Sequence, residues 1–395
     1  MNSPKATSFI HQALRTRVIA KPGAVAELGR ELARLGCQRP LLLSGQRTAA
    51  GPVWADVRRS LGELPFLAVQ DIEPHSSLTT VERVVQLARE HGADALVAVG
   101  GGSVSDTAKA VALVLAEGAP LAQHASRFVP PTTVLMPDLV KPKLPILSIA
   151  MTASGAEATP SLGIRTPEGI KLLFWDAQLA SRVIFLDPVA NLATPASVML
   201  STGMNGLAHC IEGLYSKAGS PITSILALDG IVKFDQALRQ VAAMPQDVNA
   251  RANLLLAAHI SGMVLASARS CLHHALCHVM GATLGVAHGD VNSVVLPHAL
   301  RFNAAAAARE LAPAAARLGL PGSAAEAGEA AEQLANWLHE LQQTIGVPSR
   351  LRDLGVPREQ LAGVAEKTLH ERGLAYNPRS VNNAGELEAI LLAAW

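Results

Sequence analysis

Aromatic residues are scarce. The chain holds 4 Trp, 2 Tyr and 7 Phe in 395 residues, too few for a platform on which nucleic-acid bases stack. Charge is sparse as well. Asp, Glu, Lys and Arg make up 16% of the chain, the net charge is +1, and no long block of one sign occurs. That pattern excludes a polyelectrolyte partner such as nucleic acid. Four cysteines, at 37, 210, 271 and 277, form no Cys-x-x-Cys pair. A disulfide framework is thereby excluded, and a reducing compartment fits. Residues 1–5 lack the basic-then-apolar pattern of a signal peptide,. Residues 188–211 carry no Asp, Glu, Lys or Arg and are long enough to span a bilayer,. Two prolines, two asparagines, a histidine and several hydroxyl residues in that stretch instead predict a buried loop and helix. The expectation is a cytoplasmic protein with no membrane partner.

What the chain has in quantity is apolar surface, 49% of its residues. At this length that supports two domains, each with its own core. Short apolar runs alternate with helical patterns through the first half. Strands are expected at 18–20, 40–43, 65–69, 95–99 and 144–150, with helices at 24–35 and 79–91. Such alternation predicts a mainly parallel sheet covered on both faces. Beyond residue 194 the strand signals fade. Helices are expected at 222–241, 248–268, 304–316 and 324–344. The fold class read from this is an α/β, Rossmann-like first domain (1–190) and an all-helical second domain (191–395), with a ligand cleft between. The Pro-rich stretch 117–145 shows little periodicity and reads as a long excursion at the edge of the first domain.

Two local patterns carry chemistry. After the apolar run 95–99 comes Gly100-Gly101-Gly102-Ser103-Val104-Ser105-Asp106-Thr107-Ala108-Lys109, then an apolar helical run. Strand, glycine turn and helix start form a clasp for a phosphate or pyrophosphate, because glycines admit close approach and the helix start offers unpaired N–H groups. Ser103 with Asp106 fits an N-cap followed by an acid in the first turn. The turn is neither Gly-x-Gly-x-x-Gly nor a Gly-Lys-Ser/Thr loop, and a plain tight turn explains it equally well. The second pattern lies in the helical half. Asn205 and His209 are four apart, as are His274 and His278, and His288 follows. Residues four apart share a helix face, so these side chains can converge on one point, as a borderline metal requires.

Taken together, the glycine turn through Lys109, the segment 205–212 and the segment 272–288 resemble the iron-containing (group III) alcohol dehydrogenase superfamily across nearly the whole chain. Within it, Leu272-His273-His274-Ala275-Leu276-Cys277-His278-Val279-Met280-Gly281, Gly203-Met204-Asn205, Leu351-Arg352-Asp353-Leu354-Gly355 and Asn377-Pro378-Arg379 are most similar to the maleylacetate reductase branch. The resemblance implies a dehydroquinate-synthase-like fold: an N-terminal domain binding NAD or NADP and a helical domain holding a divalent metal, iron or zinc. It implies metal ligands at Asn205, His209, His274 and His288. It places the cofactor pyrophosphate on Gly101, Gly102 and Ser103, and Thr152 and Ser154 beside the cofactor. Lys171 is implied near the nicotinamide and Asp106 on the substrate side. His274 and His278 are expected to polarise the carbonyl and donate a proton, since histidine titrates near neutral pH. Glu212 and Cys277 are expected to be structural. The branch reduces an activated carbon–carbon double bond of an unsaturated oxo-dicarboxylate to give 3-oxoadipate. A small-molecule substrate and a homodimer follow.

Three departures qualify this. Metal-dependent relatives carry aspartate where this chain has Asn205, so the metal is expected to be weakly held or absent. The 117–145 stretch is longer than in maleylacetate reductases. Ala150-Met151 replace the Pro-Thr that usually precedes Thr152. After the second strand, Ser44-Gly45-Gln46-Arg47 offers no acid for a ribose 2′-hydroxyl, and Arg47 could meet a 2′-phosphate, which permits NADP. A solvated loop arginine is the other reading of Arg47. Two other activities share these motifs: a metal-dependent alcohol or aldehyde oxidoreductase, and a dehydroquinate-synthase-type lyase. The lyase needs many basic residues, and the motifs near the histidines offer few.

Overall fold

The computed structural model describes residues 8–321 and 327–395. Residues 1–5, and 324–326 at the start of the helix expected at 324–344, lie outside the described residues. The strands are β1 (Arg17–Ala20), β2 (Pro40–Ser44), β3 (Leu67–Val69), β4 (Ala95–Gly100), β5 (Arg127–Val129), β6 (Thr133–Leu135), β7 (Ile146–Ala150), β8 (Ser161–Arg165), β9 (Lys171–Trp175) and β10 (Val183–Leu186). In the first half the helices are α1 (Leu28–Arg34), α2 (Gln46–Ala49), α3 (Pro52–Leu61), α4 (Leu78–His91), α5 (Gly102–Glu117) and α6 (Pro188–Asn191). The second half contributes α7 (Ala196–Tyr215), α8 (Pro221–Ala243), α9 (Val248–Ala268), α10 (Leu272–Leu284), α11 (His288–Arg317), α12 (Ala327–Ile345), α13 (Leu361–Thr368) and α14 (Ala384–Ala394).

Six strands form one parallel sheet in the order β1-β10-β7-β4-β2-β3. Successive side chains point to opposite faces. Leu41, Leu43, Leu96 and Ala98 therefore pack with α4 and α5, whereas Leu42, Ala95, Val97 and Val99 pack with α1 and α3. Burial on both faces is why these strands read as continuous apolar runs. Two antiparallel hairpins, β5–β6 and β8–β9, stand outside the sheet. The first lies within the 117–145 excursion. Neither hairpin was expected, and nor was α3.

The helical half has one core formed by α7, α8, α9, α11 and α12 and a second where α10 and α11 meet α13 and α14. The charge-free stretch 188–211 forms α6 and most of α7, as a buried loop and helix. Helix α9 is apolar and long enough to cross a membrane, yet 67% of its most apolar window is buried within the fold. The helix expected at 304–316 is the second half of the 30-residue α11, which runs through Pro297 and Pro313. Proline at 297 removes the N–H that would serve the carbonyl of Ser293. The buried amide of Gln342, on α12, donates to that carbonyl instead, at 2.6 Å.

Candidate active site

Gly100 lies opposite Ala150 in the β4–β7 register, so the turn after β4 and the loop after β7 leave the sheet side by side. This is the carboxyl edge where parallel sheets bind ligands. Gly101 is the N-cap of α5, and no side chain caps the helix. Its first N–H groups are thus available to an anion. A Cβ on Gly101 would come within 2.6 Å of Thr152, so only glycine lets the turn meet the neighbouring loop. A Cβ on Gly102 would meet nothing closer than 3.8 Å, so the glycine borders open space. Both glycines, Ser103, Thr152 and Ser154 line one cavity of about 620 Å³. A pyrophosphate fits this clasp.

Ser103 is not the cap that its position suggested. It sits in the first turn, and its hydroxyl accepts the His75 N–H at 3.0 Å. Asp106 lines the cavity but serves the hairpin, accepting the Gly163 N–H at 3.1 Å. Burial raises its pKa, opposed by Lys109 and Lys171. Ser44 is fully buried and donates to the Gly45 carbonyl at 3.2 Å, so its side chain does not reach a ligand. Arg47 is exposed on α2, outside the cavity lining.

The histidines gather at the same cavity. Asn205 and His209 project from α7, His274 and His278 from α10, and His288 opens α11. The rings of His209 and His274 stack at 4.6 Å, those of His278 and His288 at 5.8 Å, and His274 lies 6.2 Å from His288. Nδ1 of His274 bonds to Glu212 at 2.5 Å, and the other Glu212 oxygen accepts the His273 N–H at the start of α10 at 3.0 Å. Glu212 therefore fixes both the helix and the ring, more than the structural role expected of it. His273 must donate from Nε2 to the Asn292 carbonyl, 3.0 Å away. Glu212, His273 and His274 bring donor atoms within 4.8 Å of one another. These atoms are largely spent on one another, and Glu212 and His273 stand behind the cavity lining.

With its Nδ1 proton held by Glu212, His274 presents a lone pair at Nε2. Asn205 lies against that atom, with Oδ1 at 3.1 Å. Amide oxygen and nitrogen exchange places by rotation, and the lone pair calls for the N–H. An aspartate there could offer no such proton. The set still fits a divalent ion if the Asn205 amide turns its oxygen inward: three imidazoles then face one cavity, as in three-histidine sites,. It holds no anionic ligand, which fits weak binding.

The expected imidazolium is not supported. Burial first, and then Lys171, lowers the pKa of His274 to about 3. His278 and His288 are lowered by the same two causes in the same order, and His209 by burial and then His274. All four are neutral near pH 7, and positive charge comes from elsewhere. Lys171, Arg165, Arg269 and Arg372 line the cavity. The scarcity of basic residues near the histidine motifs is thus corrected by Lys171, Arg165 and Arg372, remote in sequence, and by Arg269, just before α10. Arg269 ends α9 at φ 64°, ψ 167°, a region that costs a non-glycine residue on the order of 1–3 kcal/mol. Its guanidinium covers the Trp175 ring at 4.3 Å. Nδ1 of His278 faces Glu371 at 3.4 Å, and burial pushes Glu371 up to about 7. Cys277 is fully buried, as expected of a packing residue.

Comparison with known proteins gives a consistent result. Residues 15–188 match the family model described as iron-containing alcohol dehydrogenase. Residues 199–395 match that of the Fe-containing alcohol dehydrogenase family, C-terminal. A maleylacetate reductase of Burkholderia cepacia is 33% identical over 366 residues, covering 91% of this chain and 90% of that protein. An NAD-dependent methanol dehydrogenase of Bacillus methanolicus is 28% identical, covering 90% and 92%. The crystal structure of a maleylacetate reductase from Agrobacterium tumefaciens superposes with a TM-score of 0.80 at 28% identity, covering 99% of each chain.

Proposed function

The chain belongs to the iron-containing alcohol dehydrogenase family and is an NAD(P)-dependent oxidoreductase, and from that premise we propose that it reduces the activated carbon–carbon double bond of an unsaturated oxo-acid of the maleylacetate type. The observation that carries this reading is the contact of Asn205 with Nε2 of His274. It satisfies the metal-facing nitrogen without a cation, in a cavity whose fixed positive charge comes from side chains. The curated relatives named maleylacetate reductase support the same reading.

Gly101, Gly102 and Ser103 would hold the pyrophosphate of NAD(P)H, which when bound would supply the hydride. The first turn of α5 and the hydroxyls of Thr152 and Ser154 orient the cofactor. Lys171, beside Asp106, offers positive charge to the carbonyl oxygen of an enone as negative charge develops there. His278 turns Nδ1 to Glu371, leaving Nε2 for the substrate. Glu212 and Asn205 hold the His274 ring as one wall of the site. A divalent metal on His209, His274, His288 and the Asn205 amide would add Lewis acidity. Arg47 we assign to a 2′-phosphate of NADP, as the cation that follows β2. We place the boundary between the halves at residues 190–191. For the assembly we propose a homodimer. β1 is an edge strand, and Phe9, Ile10 and Val18 are exposed on or near it,.

The test is to supply maleylacetate with NADH or NADPH, follow cofactor oxidation and identify the product. The expected product is 3-oxoadipate, with its ketone intact. Reduction of the ketone instead, or no turnover with either cofactor, contradicts the reading. The three facing imidazoles favour a second reading, a metal-dependent dehydrogenase of small alcohols or aldehydes. Under it, metal removal abolishes turnover and metal addition restores it.

A further inference from the structure

We propose that Arg269 and Arg372 are the specificity-determining residues that receive the substrate's carboxylates, and that Ser126 of the 117–145 excursion holds Arg372 in position. The assignment rests on the oxo-acid reading above and deepens it to a dicarboxylate. Arg372 lies half-buried in the turn Arg372–Tyr376, and Arg269 half-buried at the end of α9. Both line the cavity that holds the histidines. Among the described residues neither guanidinium has a carboxylate within 4 Å; the contacts seen are the Trp175 ring for Arg269 and the Ser126 hydroxyl for Arg372.

A guanidinium even half-withdrawn from water without an acid is less favourable than one that an anion joins. Burial lowers Arg372 to about 10, which leaves it charged at neutral pH. Its charge is felt at His278 and Lys171, so it stands by the reacting end of the cavity. Two forks of N–H donors suit two carboxylates. Ser126 ties the excursion to the device. Its hydroxyl donates to the Leu173 carbonyl at 2.8 Å and accepts from Nη1 of Arg372 at 2.7 Å. The excursion thereby holds Arg372 from behind the cavity lining. The strained backbone of Arg269 fits a residue held in place for a ligand,.

The probe is maleate, glutarate or butyrate, titrated into the enzyme–NADPH complex and followed by cofactor fluorescence. Dicarboxylates are expected to bind wild type about tenfold or more tightly than butyrate. Arg269→Met and Arg372→Met should each weaken dicarboxylate binding by about tenfold or more, and Ser126→Ala by roughly threefold, with NADPH affinity retained. Arg372→Lys, which keeps the charge but not the fork, should fall between and covers the case in which Arg372→Met does not fold. Folded variants that bind NADPH and hold dicarboxylates within about twofold of wild type overturn the assignment alone. Wild type that binds butyrate as tightly as the dicarboxylates overturns both the assignment and the oxo-dicarboxylate reading.

Discussion

A carboxylate at position 205 would set a second acceptor against Nε2 of His274, and only a cation between them would make that contact favourable. Asparagine removes the requirement by offering an amide proton. Asn205→Asp should therefore bind Zn²⁺ about tenfold or more tightly than wild type, because a charged oxygen joins three imidazoles. Competition with a chromogenic chelator measures this, and equal affinities would refute it. Glu371 gives a second residue-scale expectation. Its folded pKa, about 7, lies above the ordinary 4.5, so the folded state takes up its proton first as pH falls. Stability contributed by this group is fully present below about 4.5 and is lost as pH rises through about 7. Glu371→Gln should remove that loss, gaining on the order of 3 kcal/mol above pH 7 relative to its difference from wild type at pH 4.5. Denaturant melts across pH check it, and a pH-independent difference would contradict it. Asn205 and the histidines were legible because helical spacing betrays a shared face. Glu371, Arg372 and Arg269 were not. Glu371 and Arg372 are neighbours at the start of one turn and Arg269 ends α9, but none has a periodic partner, and only tertiary packing brings them to the cavity.

At the scale of elements, five of the six parallel strands and the main helices of the second half announced themselves through apolar runs and periodicity. Besides β10, two kinds of element escaped. The β8–β9 hairpin has a half-buried face and alternates only in part. Helix α11 was expected only over its alanine-rich second half, and Pro297 in its first half is a residue that normally breaks a helix,. Its continuity depends on Gln342, a residue on a different helix, and no local signal could reveal that. Gln342→Leu should leave the Ser293 carbonyl without its donor and cost about 1–3 kcal/mol. Chemical denaturation reads the change directly. A variant as stable as wild type would mean that the carbonyl finds another partner.

The whole molecule depends on how its two halves touch behind the cofactor loop. Gly155, at φ 68°, and Gly262, on α9, meet so closely that a Cβ on Gly262 would lie 2.2 Å from the Gly155 carbonyl oxygen. The same loop carries Thr152 and Ser154. Gly262→Ala should push that loop off α9, lowering stability and weakening NAD(P)H binding about tenfold, or about 1.4 kcal/mol. Isothermal titration checks the binding, and unchanged affinity would show that the loop moves without cost to the clasp. The sequence signalled the glycine turn but not this contact, since its two glycines lie over a hundred residues apart. The central claim joins both halves: a nicotinamide site above histidines that need no metal. It is tested most directly by kcat/KM for maleylacetate and for a panel of small aldehydes, on metal-stripped protein with chelator present. The expected result is efficient NAD(P)H oxidation with maleylacetate, unchanged by the chelator and far above that with any aldehyde. Aldehyde reduction that appears only when metal is returned, with none on maleylacetate, would contradict it.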